Sequence, residues 1–262
     1  MNEPASNSAA KGRIPLGEET FRFECGPTVP CFGRCCHKPD LELYPYDVVR
    51  LARRLGMKSG DFLARHTVLA KRTNPHFPSV MLRMERTPGQ PCPFLSPEGC
   101  GIYEDRPDAC RMFPLERGVS VIPFQEGSVE EKYFLQELPW CKGHGLGSEK
   151  TVADWVADQN LAEYNRMGEL WTEMSLLFRR NPWGPEGAQS KNFKMAYTAC
   201  YDTDHFRDFV FKSTFLKRYE VDPEWLEKIE VDNAALLEFG LDWLKYFLFN
   251  ARPKHFKAVT PG

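Results

Sequence analysis

C-G-P-T-V-P-C-F-G-R-C-C, from Cys25 to Cys36, puts four cysteines in one short loop with the spacing C-x5-C-x3-C-C. Gly26, Pro27, Pro30 and Gly33 break regular structure, so the chain curls round a centre here instead of running on as helix or strand. A second group follows further along. Cys92, Cys100 and Cys110 stand in the run from Pro91 to Pro114, and Cys141 stands in W-C-K-G-H-G. Eight cysteines therefore fall between Cys25 and Cys141, and Cys200 is alone downstream.

A thiolate is a soft ligand that selects zinc, Cu(I) or iron–sulfur clusters. Four of them complete one tetrahedral zinc site or one cluster, so eight suffice for two centres. In an extended backbone the neighbours Cys35 and Cys36 would face opposite sides, one toward each centre, or only one of them would ligate. The rival reading is disulfides with buried free thiols. It needs an oxidising compartment and a strained bridge if Cys35 pairs with Cys36. Zinc and iron–sulfur both stay open. The repeated C-x2-C of zinc sites is absent, and so is the C-x2-C-x2-C run of bacterial ferredoxins. His37 and His144 lie beside Cys36 and Cys141 and can replace a thiolate, but an exposed loop histidine is the plainer reading.

The combination of C-x5-C-x3-C-C, C-P-F-L and G-C-x-I-Y-x-x-R-P-x-x-C-R-x-F-P resembles the YkgJ-type cysteine-cluster family. That family is described as zinc- or iron-chelating and includes the flagellin lysine N-methylases. The resemblance spans about residues 21–145. It implies a cysteine-bound metal centre and, for the methylase branch, a [4Fe-4S] cluster used with S-adenosylmethionine.

The rest of the chain sets the frame. Its 262 residues carry a formal net charge of −2, which gives no long-range pull toward nucleic acid or anionic lipid. No apolar run approaches the roughly 20 residues that cross a bilayer. The N-terminus shows no basic region leading into an apolar core, so the expected location is the reducing cytoplasm, where thiols stay available for metal. Residues 1–20 are small, polar and punctuated by Pro and Gly, and read as a disordered tail.

Val48, Leu51, Ala52 and Leu55 recur at helical spacing before Gly56, and a second short helix is expected from Ser59 to Leu69. Ser79–Arg86 and Val119–Phe124 read as strands of a small sheet that carries the second cysteine group on loops. Arg106-Pro107 opens the helix bearing Cys110. Arg106 and Arg111 either offset the charge of a thiolate centre or pair with Glu104, Asp105 or Asp108 at the surface. Gly143, Gly145 and Gly147 precede a helix capped by Thr151 and Asp154. As the loop opening that helix they are the candidate site for the carboxylate of S-adenosylmethionine, against a plainer role as a flexible exit from Cys141. From Thr151 to Arg180 the apolar positions step by three and four, which predicts one long helix ended by Asn181-Pro182. Asp204–Tyr219 and Ala234–Asn250 read as further helices, and Cys200 reads as a buried small apolar residue.

The expected fold is α+β and mainly α, a cysteine-rich metal-binding module with a small sheet packed on a helical bundle. Its segments are a tail (1–20), the module (21–147) and a helical region (148–262). The expected metal ligands are Cys25, Cys31, Cys35, Cys36, Cys92, Cys100, Cys110 and Cys141. The cofactor is one or two iron–sulfur clusters, with zinc as the alternative and S-adenosylmethionine as an addition. The functional readings are an iron–sulfur redox or methyl-transfer protein, a zinc-binding interaction module, and a handler of labile metal. The expected partner is a protein substrate or redox partner, not nucleic acid or membrane.

Overall fold

The computed structural model describes residues 12–259. β1 (Arg13–Leu16) and β2 (Phe21–Phe23) lead into the cysteine loop. Beyond the loop come β3 (Glu42–Leu43), α1 (Pro45–Arg54), α2 (Ser59–His66), β4 (Thr67–Ala70) and β5 (Ser79–Leu82). The second cysteine group spans β6 (Leu95–Ser96), β7 (Gly99–Cys100) and α3 (Asp108–Met112). β8 (Leu115–Ser120), β9 (Glu130–Gln136) and β10 (His144–Lys150) follow. The remainder is helical: α4 (Val152–Asp158), α5 (Ala162–Phe178), α6 (Lys191–Tyr201), α7 (Thr203–Lys212) and α8 (Phe215–Arg218). β11 (Tyr219–Val221), α9 (Pro223–Val231), α10 (Asn233–Phe249) and β12 (Phe256–Ala258) complete it. The fold is mixed α+β, with short antiparallel sheets ordered β1-β9-β8, β10-β2, β3-β5-β4, β6-β7 and β11-β12.

Local chemistry explains the main elements. α1 starts at a capping box: the Tyr44 N–H donates to Asp47 Oδ2 at 2.8 Å, and Pro45 presets the first turn. Val48, Val49, Leu51 and Ala52 then bury one face. α10 hides Leu236, Leu237, Phe239, Leu241, Trp243 and Leu244 in the centre of the molecule. One continuous apolar core runs from Phe21 and Phe23 through α1 and α5 to Phe256, so the cysteine-bearing half and the helical half share it.

Four expectations change. Residues 13–16, assigned to the tail, form β1 and pair with β9, from Arg13 opposite Gln136 to Leu16 opposite Tyr133. The part of that tail in residues 1–11 lies outside the described residues. The long helix is two: α4 ends at Gln159, Asn160 turns the chain with φ +50°, and α5 begins at Ala162. Asn tolerates this left-handed conformation, and a helix can end on it. The second short helix stops at His66, and residues 67–70 instead pair with β5. The strand expected at Val119–Phe124 is β8, which sits earlier and reaches only Ser120.

Candidate metal centre

The loop after β2 is wound by successive i→i+3 turns. Val29 N–H donates to Gly26 O, Phe32 N–H to Val29 O, Arg34 N–H to Cys31 O and Cys36 N–H to Gly33 O, at 2.9–3.0 Å. Gly33 sits at φ +75°, which admits the last turn into Arg34–Cys36. Cys35 and Cys36 therefore lie on a tight 3-10 turn and not on extended chain. Their sulfurs are 3.9 Å apart.

Main-chain hydrogen bonds bring the distant cysteines to this loop. Cys92 N–H donates to Cys36 O at 2.7 Å, and Lys38 N–H to Gln90 O at 2.9 Å. Leu95 N–H reaches back to Cys92 O, and the β6-β7 hairpin sets Cys100 opposite Leu95. On the other side Glu24 N–H donates to Gly143 O at 3.1 Å, and Lys142 N–H donates to the Cys31 sulfur at 3.1 Å. All nine cysteines are free thiols, so the disulfide alternative is not the arrangement found.

The thiols feel one another's charge in two sets that meet at Cys35. Burial pushes Cys25 up to about 11, and Cys35, Cys31 and Cys141 push it the same way. Burial raises Cys141, with Cys31 and Cys35 adding to it. In the second set burial takes Cys110 up to about 12, reinforced by Cys92, Cys35, Asp47 and Cys100. Cys92 is raised by burial and by Cys100 and Cys35. Hydrogen bonding from Cys36 lowers Cys35 to about 7 and pushes Cys36 up. Repulsion of this kind is what a bound cation relieves. The main chain also offers donors to sulfur, the N–H of Phe94 to Cys92 and that of Gly143 to Cys141, and such donors favour the thiolate.

The eight residues expected as ligands are thus brought to one region. Among the described residues, however, no three Cys, His, Asp or Glu side chains stand close enough to clasp a single ion. The donor set fits a thiolate centre in kind and number, eight free thiols between Cys25 and Cys141. A cavity of about 440 Å³ opens against the loop, lined by Phe32, Arg34, His37, Leu95, Ser96 and Pro97.

Other residues near the centre do not behave as expected. Arg106 and Arg111 are 8% and 4% exposed and are not in surface pairs with Glu104, Asp105 or Asp108. Asp105 instead takes Arg50, at 2.5 Å. Arg111 donates to the carbonyls of Gln159 and Glu104, each at 2.6 Å, and Arg106 to the Tyr103 carbonyl and the Gln159 side chain. Gln159 went unnoticed in the sequence because it read as mid-helix. The only signal was Asn160 after it. His144 packs edge-on to Phe23 and Phe113, its ring nitrogens buried without a hydrogen-bond partner, and burial lowers its pKa. Gly143, Gly145 and Gly147 do not open a helix; residues 144–150 form β10, with a register shift against β2. A Cβ on Gly143 would lie 2.4 Å from the Glu24 carbonyl, so close backbone packing explains that glycine without a cofactor.

Residues 24–142 match the model of the family CxxCxxCC, described as a "putative zinc- or iron-chelating domain". No curated protein and no solved structure matches the chain. The matched span opens just before Cys25 and closes just after Cys141, so it takes in all eight clustered cysteines and omits Cys200. The loop here is longer than the family's C-x2-C-x2-C-C name but ends in the same adjacent pair. The segment 24–142, somewhat under half of the chain, is similar to this family of zinc- or iron-chelating domains, which supports metal binding through the cysteines.

Proposed function

We propose that the eight cysteines hold two iron–sulfur centres, one on Cys25, Cys31, Cys35 and Cys141 and the other on Cys36, Cys92, Cys100 and Cys110. The observation that carries this reading is the number of free thiols: eight lie inside the matched segment, enough for two four-thiolate centres. An iron–sulfide core puts several atoms between its cysteines, so it does not need sulfurs within the about 3.8 Å of a zinc tetrahedron. The N–H donors on sulfur are also the kind of contact that tunes such clusters. When bound, the clusters supply one-electron chemistry. The chain's own part is to hold the thiolates, limit water and leave an open face over Phe32, Arg34 and His37 for a redox partner or protein substrate. Methyl transfer to lysine with S-adenosylmethionine rests on the family resemblance alone, since the glycines chosen for its carboxylate serve a strand.

Zinc is the second reading, and one distance favours it. The Cys35 and Cys36 sulfurs, 3.9 Å apart, match two corners of a zinc tetrahedron. Elemental analysis of protein made without oxygen separates the two. The cluster reading expects iron with equal acid-labile sulfide and a brown solution. A colourless protein with stoichiometric zinc and no sulfide overturns it in favour of a structural zinc module.

A further inference from the structure

Two buried arginines flank the cysteines, and their surroundings differ. Arg111 has carboxylates in its field, those of Asp47 and Asp108. Arg106 makes no ion pair with a carboxylate among the described residues. Its guanidinium donates through Nη1 to the Tyr103 carbonyl at 2.8 Å and through Nη2 to the Gln159 side chain. Its carbon lies 3.8 Å over the Tyr103 ring. These contacts satisfy donors without supplying negative charge. The groups that act on its charge are the Tyr103 phenol, Arg111 and the thiols of Cys110 and Cys100, and it in turn acts on Cys25; of these the thiols are the ones that become anionic when they ligate metal. A cation held 8% exposed with no counter-charge is strongly disfavoured, so the fold needs an anion where these sulfurs stand.

We propose that Arg106 is the fixed counter-cation of the thiolate centre, and that Gln159 is the positioning residue that keeps it there. The inference rests on the cysteines acting as thiolate ligands, and it holds for iron or zinc alike. Arg106 is well suited to the task because its planar fork reaches two fixed acceptors while its charge stays delocalised toward sulfur. Gln159 caps α4, so the helical half of the chain positions the charge that serves the cysteine half. Its side chain takes Arg106 and its carbonyl takes Arg111, which ties both arginines to one residue.

The test is the rate at which a competing chelator strips metal from protein purified without oxygen, with circular dichroism as the check on folding. Loss of a supporting group around a metal site costs about 10- to 100-fold in affinity, and R106Q is expected to release metal faster by that order. R106K, which keeps the charge, is expected to recover most of the retention. Q159E leaves Arg106 in place but gives it a carboxylate partner, so it is expected to release metal faster than Q159L, in which the charge is merely untethered. This pair decides the question even if R106Q does not fold. If the metal is iron, R106Q also shifts the midpoint potential to more negative values, because the lost cation stabilised the reduced form. Release from R106Q at the wild-type rate, or from R106K as fast as from R106Q, overturns the counter-cation. Wild-type protein that holds no metal in any preparation overturns the thiolate centre itself.

Discussion

Cys35 stands where the two thiol sets meet, since Cys25 and Cys141 on one side and Cys36, Cys92 and Cys110 on the other all feel its charge. C35S and C141S each remove one thiolate from the same proposed centre, so both are expected to lower metal per chain by that centre's content, with C35S also perturbing its neighbour. C200S should keep its full metal content, because Cys200 is buried in α6 within the apolar core. Its hydroxyl should cost about 1–3 kcal/mol of stability in denaturant unfolding. The cysteines were legible in the sequence because thiolate chemistry depends on residue type and clustering. Asp47 was not. It is 2% exposed and accepts from the Tyr44 and Asp108 N–H groups, at 2.8 Å each, contacts that no local pattern announces. Burial, then repulsion from Asp108, takes it up to about 7. The folded protein thus holds a proton that the unfolded chain releases near pH 4. The stabilisation is full below that value and is lost as pH rises toward 7. The unfolding free energy should fall across this window by the order of 1–4 kcal/mol. D47N, which cannot ionise, should flatten the profile.

At the scale of elements, the caps decide what the apolar spacing leaves open. Ser59 and Asp204 cap each other's helices: Ser59 N–H donates to Asp204 Oδ2 at 2.7 Å, and Asp204 N–H donates to Ser59 Oγ at 3.0 Å. The Ser59 hydroxyl donates to Asp202, at 2.8 Å, and His205 Nδ1 lies 2.6 Å from the same carboxylate. Serine, histidine and aspartate are together here, but the hydroxyl faces carboxylates and Ser59 is 1% exposed, so the group is a joint between α2 and α7 and not a nucleophile. S59A should cost about 1–2 kcal/mol, read from chemical denaturation. The hydrogen bond to Asp202 raises the His205 pKa. The protonated imidazole is the form the fold favours, so its contribution is present below about pH 6.5 and disappears as pH climbs through the folded value. D202N should bring the His205 titration down, as followed by NMR. Such joints escape a reading of sequence because the partners lie 145 positions apart. Helices end at or near Asn160, Asn181 and Asn250, each at positive φ, but only Asn181 stood beside a proline that announced it, and the break at Asn160 was missed.

For the whole molecule, the question is how far loss of metal travels. The α+β mixture was legible because apolar periods of two and of three to four both appear in the chain. The joining of its halves was not, because it runs through buried contacts between distant residues. Trp155 of α4 packs edge-on to Phe21 and Phe23, and its Nε1–H donates to the Met112 carbonyl at 3.0 Å. Gln159 adds the two arginines. These contacts tie α3, the helix of Cys110, to the junction of α4 and α5. In contrast, α10 is held by α1, α5, α6, α7 and α9, none of which carries a clustered cysteine. Metal binding to thiolates is coupled to local folding, and regions open in cooperative units set by their contacts. Stripping the metal should therefore speed amide hydrogen exchange first in 25–37 and 92–112, and next in 152–161. Residues 233–249 should keep their protection. Equal acceleration in α10 would mean that the metal supports the entire core. Acceleration confined to the two cysteine segments would mean that Trp155 and Gln159 do not transmit the loss.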